Sequence, residues 1–299
     1  MKKALIVILC AITLISCSGN KKKQQVKQPE TPKQTFELVA EVPNLAHCES
    51  ITYDAKREVL YVSIQADKKT PLDGSIAKIS LDGKVLNADF ITGLNDPKGI
   101  TVVGDKLYAA DITELVEIDL TTEKVIKKHT ADAVFLNDVT ADKDGNVYVS
   151  DMFTSSVYKL DTAGKFSNWF QSAEMENPNG LLVVGNDMYI GAWGNFDNED
   201  PLSAPHGRFL KMDIATKQIE KVTNDPIGHL DGVQVFNNNE FLLSDWLAGV
   251  VFKTSKDGKN EIVLKSEKSI GDILYIADKK LLALPINLTN KAMIYKVNI

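Results

Sequence analysis

Three things are scarce in this chain of 299 residues: long hydrophobic runs, cysteine, and positive charge in the body. The one sustained apolar run, from Ala4 to Ser16, falls short of the roughly 20 residues a spanning helix needs. Of the three cysteines, Cys10 and Cys17 lie in or just after that run. Cys48 is then alone in the body, and no internal disulfide is possible. Beyond residue 35 there are 27 Lys and Arg against 39 Asp and Glu, a net charge of −12. A body that acidic repels phosphate backbones and anionic lipid, which argues against a nucleic-acid partner and favours cations and neutral small molecules. No convincing helical stretch follows the apolar run. What remains, at 44% hydrophobic and 25% charged residues, is enough to bury a large core.

The amino terminus reads as a targeting segment. Lys2 and Lys3 precede the apolar run, which ends in Leu14-Ile15-Ser16-Cys17. This resembles a bacterial lipobox, in which Cys17 is lipidated and anchors an exported protein in the cell envelope, at the periplasm or outer membrane. Ordinary secretory cleavage near Ser16 is the alternative. Residues 18–35 are rich in Lys, Gln and Pro with Val26 as the one aliphatic residue, a composition that cannot fold and reads as a tether of roughly 25 Å root-mean-square span. The expected organisation is a signal peptide over 1–16, lipidated Cys17 with a disordered tether over 17–35, and a folded body over 36–299.

One pattern recurs in the body: a polar residue, a small or acidic residue, then an aliphatic that opens a short strand. Its instances are Glu49-Ser50-Ile51, Lys98-Gly99-Ile100, Asn137-Asp138-Val139, Asn179-Gly180-Leu181, Asp231-Gly232-Val233 and Gly271-Asp272-Ile273. The aliphatic positions are 49, 39, 42, 52 and 40 residues apart, a period that suits four-stranded blades. Short alternating segments separated by Gly, Asp and Asn turns, as in Val147-Tyr-Val-Ser-Asp151 after Lys143-Asp-Gly-Asn146, indicate antiparallel sheet. The last unit supplies three strands, and an extra strand at Phe36–Val42 precedes the first. If the two combine, the ring closes, which predicts an all-β fold, a six-bladed β-propeller.

In such a ring the repeated polar residue sits where each innermost strand begins, so Glu49, Lys98, Asn137, Asn179, Asp231 and Gly271 surround one axis. Two carboxylates and two amides are hard oxygen donors that suit Ca²⁺, whereas Zn²⁺ would call for His or Cys. Strand alternation places His47, Asp96, Phe135, Asn177, His229 and Ser269 on the same channel, nearer its mouth.

These residues resemble a family, the calcium-dependent six-bladed propellers that include gluconolactonases, regucalcin, phosphotriesterase-type fluorophosphatases and paraoxonases. The resemblance covers about residues 36–299 and rests on Glu49, Asn137-Asp138, Asn179-Gly180 and Asp231-Gly232. It implies Glu49, Asn179 and Asp231 as ligands of one Ca²⁺ or another divalent cation, with Asn137 a fourth ligand or a substrate contact. It implies a calcium-dependent hydrolase that opens a lactone or cleaves a related ester, with Asp231 as base or nucleophile. A cation-bound carboxylate is a weak base, so His229 and His47 stay open as catalytic candidates. Sugar-lactone members carry Arg where Phe135 stands, which counts against gluconolactone. Lys98 is a departure too. It leans toward Asp96 or Glu49, stabilises an oxyanion or anionic substrate, or replaces the metal in some states.

The longest loop within a unit, from Trp193 to Arg208, is expected on the face that carries the ring, with Trp193, Phe196 and His206 as substrate contacts. Asp111, Asp151 and Asp245 end second strands and read as ties to loop backbone. Asp142-Lys-Asp-Gly145 reads as a hairpin turn, and Cys48 as packing between blades. The competing readings are a non-enzymatic binding or scaffold propeller with a structural metal, and a metal-free one. The enzyme is expected to be a monomer with a small-molecule lactone or ester as its partner, touching membrane through the lipid anchor only.

Overall fold

Each repeated unit folds as a four-stranded antiparallel sheet with its strands in chain order from the axis outward. A computed structural model describes residues 34–65, 67, 70–196 and 200–298. The signal peptide, Cys17 and nearly all of the tether expected from the sequence lie outside the described residues. Blade 1 spans residues 48–94, blade 2 97–130, blade 3 136–171, blade 4 178–221 and blade 5 230–265. Blade 6 takes three strands from residues 274–298 and its outermost strand, Thr35–Pro43, from the beginning of the body. That strand pairs antiparallel with Lys291–Asn298, which closes the ring as the sequence predicts. Among the described residues the helices are three short 3₁₀ turns, and no helix is long and apolar enough to cross a membrane.

The blades are apolar on both faces because each is sandwiched between two others. In blade 3 the second strand, Val147–Asp151, is buried throughout. Its Tyr148 packs toward blade 4 with Leu181 and Met188, while Val147 and Val149 pack toward blade 2 with Tyr108 and Leu115. Comparable clusters fill all six junctions. Each Val, Leu or Ile buried in this way contributes about 1.5–3 kcal/mol relative to exposure. Cys48 belongs to the junction of blades 6 and 1. Its thiol donates to Lys291 O at 3.1 Å, and burial pushes its pKa up to about 12.

Turn chemistry follows the sequence closely. The Asp142 carboxylate accepts from the backbone of Asp144 and Asn146 at 3.0 and 2.9 Å, and Gly145 supplies a φ of 90°. Asp111 accepts from the backbone of Asn95 and Asp96, Asp151 from Val134 and Thr154, and Asp245 from Ala248. All three tie down loops.

The innermost strands carry a feature that alternation does not foresee. Between Cys48 and Ile51, Pro97 and Ile100, Leu136 and Val139, and Leu230 and Val233, each has one residue more than its partner strand. A fifth register shift falls between Pro178 and Gly180. These are β-bulges, and they fall on the repeated motif. Serines of the second strands satisfy the bulged backbone: Ser63, Ser150 and Ser244 accept from the N–H of Ser50, Asp138 and Gly232 at 2.9, 2.9 and 2.7 Å. Ser150 and Ser244 also donate at 2.8 Å to Asn179 O and Gly271 O of the next blade. Glycine is required where adjacent innermost strands touch. A Cβ on Gly180 would lie 1.7 Å from Asp231 O.

Candidate functional site

The bulges turn the repeated polar residues onto the axis. Glu49, Lys98, Asn137, Asn179 and Asp231 all line one cavity of about 250 Å³, and each is 7% exposed or less. Gly271, the sixth member, brings its blade close to Glu49 O, where a Cβ would sit 2.1 Å away.

Inside the ring, hydrogen bonding is incomplete. Asn179 Nδ2 donates to Asp231 Oδ2 at 3.0 Å, and Asn137 Nδ2 approaches Met152 Sδ at 3.7 Å. Glu49 Oε2 and Asn179 Oδ1 are buried with no hydrogen-bond partner. Lys98 Nζ lies 3.6 Å from Asp96 Oδ2 and 4.8 Å above the Phe135 ring. The ammonium thus leans toward Asp96, one of the options left open by the sequence.

A second layer of carboxylates lies behind the first. Asp138, the middle residue of its motif, accepts from Val139 N and Leu181 N at 2.6 Å each, and Asp272 accepts from Ser50 Oγ at 2.7 Å. Both line a second cavity of about 420 Å³ on the far side of the ring, together with Thr52, Thr101 and Thr140. Five buried carboxylates, Glu49, Asp96, Asp138, Asp231 and Asp272, therefore lie in and around the ring with one nearby ammonium. Burial pushes Glu49 up to about 8, and repulsion from Asp138 and Asp96 adds to this while Lys98 opposes it. Asp231 is raised well above the carboxylate range by burial first and then by Glu49 and Asp138. Asp272 is raised the same way, whereas two backbone N–H donors limit Asp138 to about 6. No cluster of three or more His, Cys, Asp or Glu side chains that could hold a metal occurs among the described residues. The ring's donors are instead two carboxylates mixed with two amides.

Of the other residues singled out from the sequence, Phe135 and Trp193 line the cavity. The loop after Trp193 does cover it: Trp193 Nε1 donates to Pro201 O at 2.7 Å, and Pro201 and Leu202 form part of the wall. The histidines are placed elsewhere. His229 is buried behind Trp193, ring edge to ring at 5.2 Å, with Nε2 2.9 Å from Ala204 O. His206 is exposed and packs on His229 at 4.9 Å. His47, in left-handed backbone at φ 50°, is not among the cavity residues, although its carbonyl accepts from Asn287 Nδ2 at 3.1 Å. Stepping back two residues from the ring therefore reaches the cavity at Phe135 but not at His47 or His229.

Sequence reasoning missed Gln65, Met152, Phe153, Trp246 and Asn287, which also line the cavity. All stand just after the second strand of their blade, Gln65, Met152, Trp246 and Asn287 directly after its last residue and Phe153 one further on, a shared position that carries no shared residue type. The serine next to the end of the second strand in three blades, Ser63, Ser150 and Ser244, was a readable signal for the bulges.

No family model matches the chain, and no curated protein matches it. Solved structures share the fold. A gluconolactonase from Xanthomonas campestris superposes with a TM-score of 0.63 at 13% identity, covering 89% of each chain. A streptogramin B lyase superposes with a TM-score of 0.59 at 12% identity, covering 89% of this chain and 97% of that one. A catalytically inactive variant of virginiamycin B lyase from Staphylococcus aureus, with quinupristin, gives 0.58 at 11% identity, covering 88% and 99%. At these identities the likeness establishes the propeller fold and nothing finer.

Proposed function

We propose that the chain is a hydrolase of the gluconolactonase-like type, opening a lactone or cleaving a related ester at a divalent cation, Ca²⁺ first among candidates. One observation carries this reading: Glu49 Oε2 and Asn179 Oδ1 are buried without partners in a ring that lines an open cavity. Hard oxygen donors of this kind fit a calcium-sized ion better than a transition metal. Glu49, Asn137, Asn179 and Asp231 would hold the ion, which when bound supplies polarisation of a substrate carbonyl and a template for water.

The chain's own residues supply the rest. Asn179 Nδ2 fixes the Asp231 carboxylate through its 3.0 Å bond to Oδ2. With both ring-adjacent histidines outside the cavity, Asp231 is the group that takes the water proton or attacks the carbonyl carbon. Lys98 sets an ammonium in the cavity wall, where it stabilises negative charge developing on oxygen. The Trp193 to Pro201 bond holds the covering loop against the cavity and limits water around the reacting group. A gluconolactonase among the structures of the same fold supports hydrolysis, and the streptogramin-type lyases caution that the fold serves other chemistry. Export and anchoring through Cys17, and a monomeric state, are proposed from the sequence alone.

The test is turnover of a lactone and aryl-ester panel by residues 34–299, with Ca²⁺ and with a chelator, in the native protein and in Asp231→Asn. Turnover that needs Ca²⁺ and falls at least 100-fold in the variant is the expected result. Cation binding with no turnover of any substrate would favour the scaffold reading, and turnover unchanged by chelator would remove the metal from the reaction.

A further inference from the structure

The cavity above the ring has two unlike halves, and they belong to different blades. Blades 3 to 5 supply an apolar crescent. Phe135 and Phe153 stack at 4.6 Å with their planes 10° apart, and Phe196 meets Phe153 edge-on at 5.4 Å. Trp193 and Trp246 lie 6.1 Å apart, and Met152, Trp193 and Ala204 are the buried members of this cluster. These rings form a satellite cluster separate from the six junctions between blades. Phe135, Phe153 and Trp246 are only half-buried, so they keep apolar surface turned to the cavity.

Blades 6, 1 and 2 supply the polar side. Asn287 Nδ2 donates to Gln65 Oε1 at 2.9 Å, so these two amides already satisfy each other in part, and Lys98 completes the arc. The floor is the ring itself.

We infer that this mouth selects an amphiphile: a flat apolar group, aryl or benzo-fused, seated against blades 3 to 5, with its lactone or ester carbonyl at the ring. Three physical points carry it. Planar rings gain from the offset and edge-on contacts that Phe135, Phe153, Trp193 and Trp246 offer. A polyhydroxylated lactone of the same ring size would turn several hydroxyls toward Phe, Trp, Met and Leu, where they lose water and find no partner. The volume is sufficient, since an apolar cavity of about 150 Å³ holds benzene and this one is about 250 Å³. The inference rests on the hydrolase reading for the bond that is broken, and on the cavity walls alone for the ligand that is held.

A matched series separates the two. The lactones are 3,4-dihydrocoumarin, δ-valerolactone and δ-gluconolactone, which share a six-membered ring; because dihydrocoumarin also has the better, phenoxide leaving group, each rate is divided by that of hydroxide-catalysed hydrolysis of the same lactone. The hydrolysis-resistant lactams 3,4-dihydro-2-quinolinone and δ-valerolactam report binding through tryptophan emission. Expected is a kcat/KM order of benzo-fused over plain over polyol, with at least tenfold between first and last, and the same preference between the two lactams. Phe135→Ala and the more conservative Phe153→Leu should lower the dihydrocoumarin to valerolactone ratio, about tenfold in the first. If δ-gluconolactone is the best substrate, the inference is overturned while the hydrolase reading stands. If the benzo-fused lactam binds preferentially and no lactone is turned over, the ligand class holds and the hydrolase reading falls. Equal binding of the lactams, or a ratio unmoved in both variants, overturns the inference.

Discussion

Phe209 and Phe241, between blades 4 and 5, are as deeply buried as Asn179 and Asp231, which lie on the innermost strands of the same two blades. Burial does opposite things in the two places. Between the blades Tyr189, Phe209 and Phe241 meet ring to ring at 4.3 to 5.7 Å, and every contact replaces water with apolar surface. At the axis the same loss of water leaves Asn179 Oδ1 and Glu49 Oε2 without partners and raises Glu49 and Asp231 above their ordinary proton affinities. The junctions stabilise the ring, and the ring holds an arrangement that would not assemble unaided. Such concentration of uncompensated polar groups on a rigid scaffold is what makes the ring the candidate site.

The comparison can be broken from the apolar side first. Phe241→Ala should destabilise by about 3–5 kcal/mol, the largest single effect expected, read as a fall in the denaturant midpoint. Gly180→Ala comes next, at about 3 kcal/mol, because its methyl would strike Asp231 O at 1.7 Å. An ordinary melting temperature in that variant would mean the innermost strands are looser than described.

The polar side is sharpened by pH. Glu49 rises from an ordinary 4.5 to about 8 in the folded chain, so the folded state holds this proton more tightly than the unfolded one. The stability that follows is complete below about pH 4.5 and is lost as pH rises through about 8. Asp231 and Asp272 shift in the same direction. Chelator-treated protein should therefore melt progressively lower between those limits, and added Ca²⁺ should flatten the slope. A melting temperature that rises over this range would contradict the placement of the carboxylates. The smallest effect belongs to the surface. Lys56→Ala, which removes an exposed 2.7 Å pair with Asp105, should change stability by about 0.5 kcal/mol or less.

The ring was legible in the sequence because the same bulged motif is repeated at near-constant spacing, and a closing strand at Phe36–Val42 complements a final unit of three strands. The hairpin at Asp142 and the loop ties of Asp111, Asp151 and Asp245 were legible because Asp turn chemistry is local. The orientation of the neighbours was not. Alternation put His47 and Phe135 at the same place relative to the ring, yet Phe135 lines the cavity and His47, in left-handed backbone, does not. The aromatic crescent was hidden for another reason: Phe153, Trp246 and Leu202 come from loops of three blades, and only the closed ring brings them together.

The most direct measurement is a calorimetric Ca²⁺ titration of residues 34–299 at pH 7.5, set beside Glu49→Gln. Glu49→Gln keeps the shape of the ring while removing the carboxyl group that a cation would hold ionised. One saturable site in the native protein, weakened at least tenfold in the variant, is the expected result. An isotherm identical in the two proteins, or none in the native one, would place the centre of negative charge outside any cation-binding role and contradict the proposed metal site.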